Sequence, residues 1–174
     1  MLLSIDPGVV SCGVVVMDVG YSSQVVNNCI DMTKLTYSIV YSQCINLEKT
    51  TNSKDICLNT KQLIDILCRL HISYSFDTIA VELQMKGGPR GMYKNMVNNW
   101  CIQGAIISFA VSKSIPITIV KPQNWHSRFA LTGMKKTLKL YKELGVLNGV
   151  VGTEKLTTIH QMDAAMIAIT GINK

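Results

Sequence analysis

The chain has 174 residues and a mass of 19.2 kDa, a size typical of one domain, so we expect residues 1–174 to form a single domain. Hydrophobic residues make up 48% and the mean hydropathy is +0.25, which excludes a disordered chain. Lys and Arg number 17 against 11 Asp and Glu, and the net charge of +6 suits a polyanion such as nucleic acid, although solubility alone would explain it equally well.

The first part of the chain predicts three strands. A short apolar run over residues 2–5 ends at Asp6-Pro7-Gly8, which turns the chain into a second strand over 13–17. Residues 20–36 are mostly polar and predict a long excursion. Aromatic and β-branched residues then predict a third strand over 37–42.

The rest of the chain alternates helices and strands. Apolar residues at helical spacing predict a helix over 54–71. The further predicted elements are a strand over 78–82, a loop over 87–91, a helix over 93–111, a strand over 115–120, a helix beginning at Pro122, a helix over 135–144 and a helix over 158–169. Thr158-Ile159-His160-Gln161 has the form of a capping box at the start of the last helix. This order predicts a mixed sheet covered by helices.

No targeting or membrane signal is evident. The sequence lacks a run of about 18 apolar residues, a basic signal-peptide start and an Arg-rich presequence, so we expect an intracellular protein that is not secreted. The 6 cysteines are scattered without a C-x-x-C pair and are expected to fill apolar sites rather than to bind zinc. Cys57 and Cys68 share one apolar-periodic segment, which favours a core position for both.

Acidic residues are scarce, so their positions are informative. Asp6 and Glu82 each end an apolar strand, where an unpaired carboxylate would be expensive to desolvate. Asp163 lies in an otherwise apolar helix, and His160 lies three residues before it on the same face. For each residue alone a structural role is an open alternative, but together they favour a site for Mg²⁺ or Mn²⁺. Two such ions about 4 Å apart can activate water and stabilise the leaving oxygen of a phosphodiester.

Basic residues flank these acids in the predicted fold. Lys121 follows the fifth strand, and others lie in the glycine-containing segment after Glu82 and in the predicted helix 135–144. The candidate DNA-binding residues are Lys86, Arg90, Lys94, Lys135, Lys136 and Lys139. An ordinary solvated surface is the alternative for each of them, but a phosphodiester-cleaving site nearby favours contacts to phosphate.

Several short motifs follow one another in a specific order. They are Asp6-Pro7-Gly8 with Gly13, Val81-Glu82, Gln103-Gly104, Pro122-Gln123-Asn124-Trp125, Thr132-Gly133 with Lys135, and His160-Gln161-Met162-Asp163-Ala164. Each motif is weak alone, but their order and spacing resemble the RuvC-like Holliday junction resolvases of the ribonuclease H fold. The resemblance covers residues 3–169. Glu82-Leu83-Gln84 resembles the mitochondrial and poxvirus-type branch, and the lack of a presequence favours a viral protein in the cytoplasm of an infected host cell.

The resemblance implies an α/β, ribonuclease H-like fold with a five-stranded mixed sheet flanked by helices. It implies that four residues bind two Mg²⁺ or Mn²⁺ ions and are catalytic, namely Asp6, Glu82, His160 and Asp163. Lys121, as a further catalytic residue, and Lys139 would contact phosphate or the transition state. His126 stands near a position where bacterial members have a lysine, so that contact would move to Lys121 or Arg128.

The combined prediction is a Holliday junction resolvase, a metal-dependent endonuclease that makes symmetric nicks in four-way DNA junctions during recombination or replication. It would act as a homodimer, because two symmetric nicks need two sites related by a two-fold axis. A nuclease acting on RNA or RNA–DNA hybrids and an inert junction-binding protein are the alternatives. An actin-like ATPase would need a second, duplicated domain, for which the chain is too short.

Overall fold

The computed structural model describes residues 1–8, 10–26, 29–47, 53–83, 93–131, 137–143 and 145–172. The strands in these ranges are β1 (Leu2–Asp6), β2 (Ser11–Val26), β3 (Cys29–Asn46), β4 (Thr78–Glu82), β5 (Ile117–Val120) and β6 (Val150–Val151). The helices are α1 (Ser53–Tyr74), α2 (Tyr93–Ser112), α3 (Pro122–Arg128), α4 (Leu138–Glu143) and α5 (Ile159–Ile172). None of the helices described is long and apolar enough to cross a bilayer.

The strands form one mixed sheet in the order β5-β4-β1-β2-β3-β6. The hairpin strands β1, β2 and β3 pair antiparallel, whereas β4 pairs parallel with β1 and β5 parallel with β4. The predicted mixed α/β sheet is therefore confirmed. The predicted count of five strands is one short of the sheet described here, because β6 has only two residues and is too short to produce a periodic pattern.

The prediction of a polar excursion over residues 20–36 is wrong. β2 continues to Val26 and β3 begins at Cys29, so this segment forms the end of a long antiparallel hairpin. The backbone register pairs Tyr21 with Leu35 and Val25 with Ile30. A hairpin needs an apolar residue only at alternate positions, so a mostly polar composition does not exclude strands.

The sheet is covered on both faces, and β1 shows how. Leu3 and Ile5 belong to the core formed with α1 and α2, whereas Leu2 belongs to the core formed with α5. Residues 161–170 of α5 are all buried, because the sheet covers one side of this helix and α3 and α4 contact it elsewhere. The alternation of side chains along β1 therefore places Asp6, like Leu2, on the α5 face.

The predicted capping box at the start of α5 is confirmed. The Thr158 backbone N–H donates to Gln161 Oε1 at 2.9 Å, and the Gln161 N–H donates to Thr158 Oγ1 at 3.3 Å. The Gln161 amide also donates to Ser42 Oγ on β3 at 2.6 Å. The same glutamine thus caps the start of the helix and ties that end to the sheet.

The prediction that the cysteines fill apolar sites holds for some of them and not for others. Cys12 is buried, and Cys68 packs partly buried against the core. Cys57 is exposed, so the prediction of a core position for Cys57 is wrong. It lies on the outward side of α1, between the half-buried Ile56 and the exposed Leu58.

Gly13 allows α5 to approach the sheet closely. A Cβ at Gly13 would clash with the backbone carbonyl of His160 and the following amide. These are backbone atoms at the start of a helix whose residues 161–170 are all buried, so the helix has little room to move away. The absence of a side chain at Gly13 therefore sets the height of α5 above β2.

We predict that Gly13→Ala lowers the free energy of unfolding by about 1–3 kcal/mol, because the new methyl group overpacks the contact with α5. Urea denaturation followed by circular dichroism measures this change. Ser73→Ala is the control, since Ser73 is exposed on α1 and its new methyl group would meet no packed atoms of the sheet or of α5. Equal stabilities for the two variants would contradict the packing role of Gly13.

Candidate active site

The sheet brings Asp6 and Glu82 together. In the parallel pairing of β1 with β4, Ile5 lies opposite Val81, so the next residue of each strand reaches the same edge of the sheet. Neighbouring strands are about 4.8 Å apart. Both carboxylates are almost completely buried, with Asp6 4% and Glu82 7% exposed. Like Leu2 and Ala80 earlier in their strands, they lie on the α5 face.

The start of α5 adds His160 and Asp163 to this edge. His160 Nδ1 lies 2.7 Å from Asp6 Oδ2 in a hydrogen bond between residues 154 positions apart. Asp163, one turn later, is 5% exposed. The imidazole is the accessible member of the group, because the His160 side chain is 41% exposed and that of Asp6 only 6%.

Two further side chains, from α3 and α4, bind the remaining carboxylates. The Trp125 indole Nε1–H donates to Glu82 Oε1 at 2.9 Å, and the Tyr141 hydroxyl donates to Asp163 Oδ1 at 2.8 Å. Trp125 belongs to one of the sequence motifs, but Tyr141 was not identified from the sequence. Nothing local marks it, because its partner lies 22 residues away.

All three carboxylates influence the electrostatics of Tyr141. Burial and the negative charge of Asp163, to which it is hydrogen-bonded, raise the pKa of the Tyr141 hydroxyl far above its usual range. The charges of Asp6 and Glu82 raise this pKa further. The hydroxyl therefore stays protonated and acts only as a donor to the carboxylate.

The chemistry of this donor set fits a hard divalent cation. Three carboxylates and an imidazole, held on β1, β4 and α5, are ligands that Mg²⁺ and Mn²⁺ accept. Among the described residues, however, no three histidine, cysteine or acidic side chains are arranged as a ready metal cluster. Each of the three carboxylates is hydrogen-bonded to a donor of its own.

Two of the predicted basic residues are exposed, and the others lie where the structure describes no side chain. Lys121 is exposed and follows Val120, the β5 partner of Glu82. Lys139 is exposed on α4, with its Nζ 3.6 Å from Glu143 Oε1. Lys94 lies in the first turn of α2, where only the backbone is described. The remaining candidates lie outside the described residues: Lys86, Arg90, Lys135 and Lys136.

His126, which stands near the position of a lysine in the bacterial members that the sequence resembles, is engaged in a ring contact. The His126 imidazole packs edge-on against Trp125, with 4.0 Å between the ring centroids. Arg128 is exposed in the last turn of α3. Lys121 and Arg128, which the sequence analysis named as the residues that would make the phosphate contact instead, are both at the surface.

Neither a protein-family model nor a curated protein sequence matches the chain. Several solved structures, in contrast, are similar to the chain in fold. Thermus thermophilus RuvC in complex with a Holliday junction substrate is similar at 16% identity and a TM-score of 0.62, over 97% of this chain and 90% of that chain. The yeast mitochondrial Holliday junction resolvase Ydc2 is similar at 15% identity and a TM-score of 0.59, over 98% and 78%.

A third similar structure is the fowlpox virus resolvase in complex with substrate Holliday junction DNA, at 13% identity and a TM-score of 0.56, over 98% of this chain and 97% of that chain. The similarity extends over nearly the whole chain in each comparison. At these identities it is the fold that is shared. The chain therefore has the RuvC-like fold of the Holliday junction resolvases.

Proposed function

We propose that this protein is a metal-dependent endonuclease that resolves four-way DNA junctions. The observation that carries the proposal is the convergence of Asp6, Glu82 and Asp163 beside His160, in a fold that two solved resolvases use to bind Holliday junctions. Buried carboxylates repel one another, and divalent cations would offset that repulsion. A structural role alone would not require three acids at one sheet edge.

Each residue has a role in this mechanism. Asp6, Glu82 and Asp163 would hold the Mg²⁺ or Mn²⁺ ions, and His160 would ligate an ion or orient the attacking water. The ions, when bound, supply an activated water and stabilise the charge on the leaving oxygen. Because His160 is the exposed member of the group, the scissile phosphate would approach from its side.

DNA binding would rely on phosphate contacts. The net charge of +6 and the exposed Lys121 and Lys139 favour a polyanionic partner, and affinity should fall steeply with salt. Selectivity would come from junction shape and deformability rather than from base edges. The expected products are nicked duplexes with 5′-phosphate and 3′-hydroxyl ends.

Symmetric nicking also requires a homodimer, and α2 offers a surface for it. Trp100, Ile107 and Val111 are 55%, 39% and 72% exposed at helical spacing, and Gly104 lies between them. A glycine in the middle of a helix weakens the helix, and no contact in the described part of the chain requires it, since the space beside it is open. A second copy of α2 packing closely at Gly104 would account for both features.

We predict that Asp6→Asn lowers the rate of junction cleavage at least about 100-fold, because the change removes a charge needed to hold divalent ions. The measurement is cleavage of a synthetic four-way junction in Mg²⁺, with binding followed separately by gel shift. Asp77→Asn is the matched control, since Asp77 is exposed and lies at the other end of β4.

The outcomes of this assay separate the candidate functions. Symmetric nicks from wild type and not from Asp6→Asn support the proposal. Junction binding by wild type without any cleavage favours the inert junction-binding protein. Preferential cleavage of RNA–DNA hybrids favours the alternative ribonuclease activity. Removal of divalent ions with EDTA should abolish cleavage, and Mg²⁺ should restore it.

We predict that Ile107→Glu converts the protein to a monomer, because the charge would be buried at the α2 interface. Light scattering after size-exclusion chromatography measures the mass. Ile72→Glu is the control, since Ile72 is 81% exposed on α1. If the Ile107→Glu variant were still a dimer, the interface would have to lie elsewhere than on α2.

A further inference from the structure

Two neutral hydrogen-bond donors reach the carboxylates from helices that carry none of the expected metal ligands. Trp125 on α3 is 0% exposed and Tyr141 on α4 is 1% exposed, so both rings are fully enclosed. One donates to Glu82 and the other to Asp163, at 2.9 Å and 2.8 Å. Neither donor comes from the strands or the helix that carry the acids.

The chemistry of these donors suits acids that must keep their charge. An indole N–H can only donate, and a tyrosine hydroxyl, with an ordinary pKa of about 10, is a neutral donor to a carboxylate. A lysine or arginine in the same place would neutralise the carboxylate and compete with a cation. A neutral donor instead fixes one carboxylate oxygen while the negative charge remains available to an ion.

The donors are also rigidly held. Trp125 and Tyr141 belong to the same core cluster as Met162 and Met166 of α5. Helix α3 begins at Pro122, which fits the first turn of a helix, and the Leu140 N–H of α4 donates to Thr137 Oγ1 at 3.1 Å. Enclosed side chains on short, fixed helices lose little entropy when they hold a partner.

We propose that Trp125 and Tyr141 are positioning residues that orient Glu82 and Asp163 for divalent-ion binding. The inference rests on the proposed metal-dependent function and deepens it. The competing explanation is that both side chains only fill the core and satisfy buried oxygens. That explanation predicts a loss of stability without a specific change in ion affinity.

The first test measures ion binding without DNA. We expect Tyr141→Phe, which removes only the hydroxyl oxygen, to weaken Mn²⁺ binding about 10–100-fold, as loss of such outer hydrogen bonds typically does. Free Mn²⁺ is followed by electron paramagnetic resonance, under conditions where circular dichroism shows a folded chain. Tyr74→Phe is the matched control, because Tyr74 packs against the core on the opposite face of the sheet.

The second test asks whether the effect passes through Asp163. In an Asp163→Asn background, Tyr141→Phe should cause no further loss of Mn²⁺ affinity, because the residue it positions no longer carries the charge. Additive losses would mean that the hydroxyl acts through general packing. Such additivity would overturn the proposal for Tyr141.

Trp125→Phe tests the Glu82 side in the same way and decides the matter if Tyr141→Phe does not fold. If Tyr141→Phe and Trp125→Phe fold and bind Mn²⁺ as tightly as wild type does, the proposal is overturned. In a Trp100→Phe background, Trp125 is the single remaining tryptophan, and its emission should shift as Mn²⁺ or Mg²⁺ binds Glu82. An unchanged emission on saturation would count against positioning of Glu82.

Failure of this inference is distinct from failure of the proposed function. Wild type that binds Mn²⁺ but cleaves no junction would contradict the nuclease, while the effect of Tyr141→Phe on ion binding would still stand. Wild type that cleaves junctions, with normal Mn²⁺ affinity in both variants, would keep the nuclease and reject the positioning role.

Discussion

The contact between the start of α5 and the β1–β2 hairpin is the constraint on which the candidate site depends. It places the His160 imidazole 2.7 Å from Asp6 and brings Asp163 to the same edge of the sheet. Gly13 makes the close approach possible, and Gln161 fixes the helix start through Thr158 and Ser42. The pairing of β1 with β4 adds Glu82 to the same edge, so the three carboxylates come from elements that share no local sequence.

Enclosing three acids at one place is unfavourable unless each is compensated. In this protein the compensation is distributed: Asp6 has an imidazole partner, Glu82 an indole and Asp163 a phenol. These partners come from three helices, so the loss of any one helix would leave a buried oxygen without its donor. The surrounding helices therefore stabilise the fold and the arrangement of the acids by the same hydrogen bonds.

Much of the fold could be predicted because its signals are local. The apolar strands that end at Asp6 and Glu82, the helical spacing of α1 and the capping box of α5 all lie within a few residues. The spacing of His160 and Asp163 likewise placed them on one face of a helix. The long β2–β3 hairpin was missed because composition is a weaker signal than alternation, and β6 was missed because it has only two residues.

The donors to the carboxylates could not be predicted from the sequence. Tyr141 and Trp125 meet their acids across 22 and 43 residues, and only the packing of α3 and α4 against α5 brings them there. A tyrosine in a six-residue helix has the same local pattern whether it faces solvent or a carboxylate. Identifying such a partner requires the tertiary structure.

The distance along the chain between Asp6 and His160 has a consequence for biosynthesis. They are separated by 154 residues, and the chain between them is translated in roughly 8–30 s at about 5–20 residues per second. Throughout that interval the nascent polypeptide has its first acid but neither the imidazole nor Asp163. No ribosome-bound fragment ending before α5 can assemble the site, so any nuclease activity begins only when the last helix has been made and has docked.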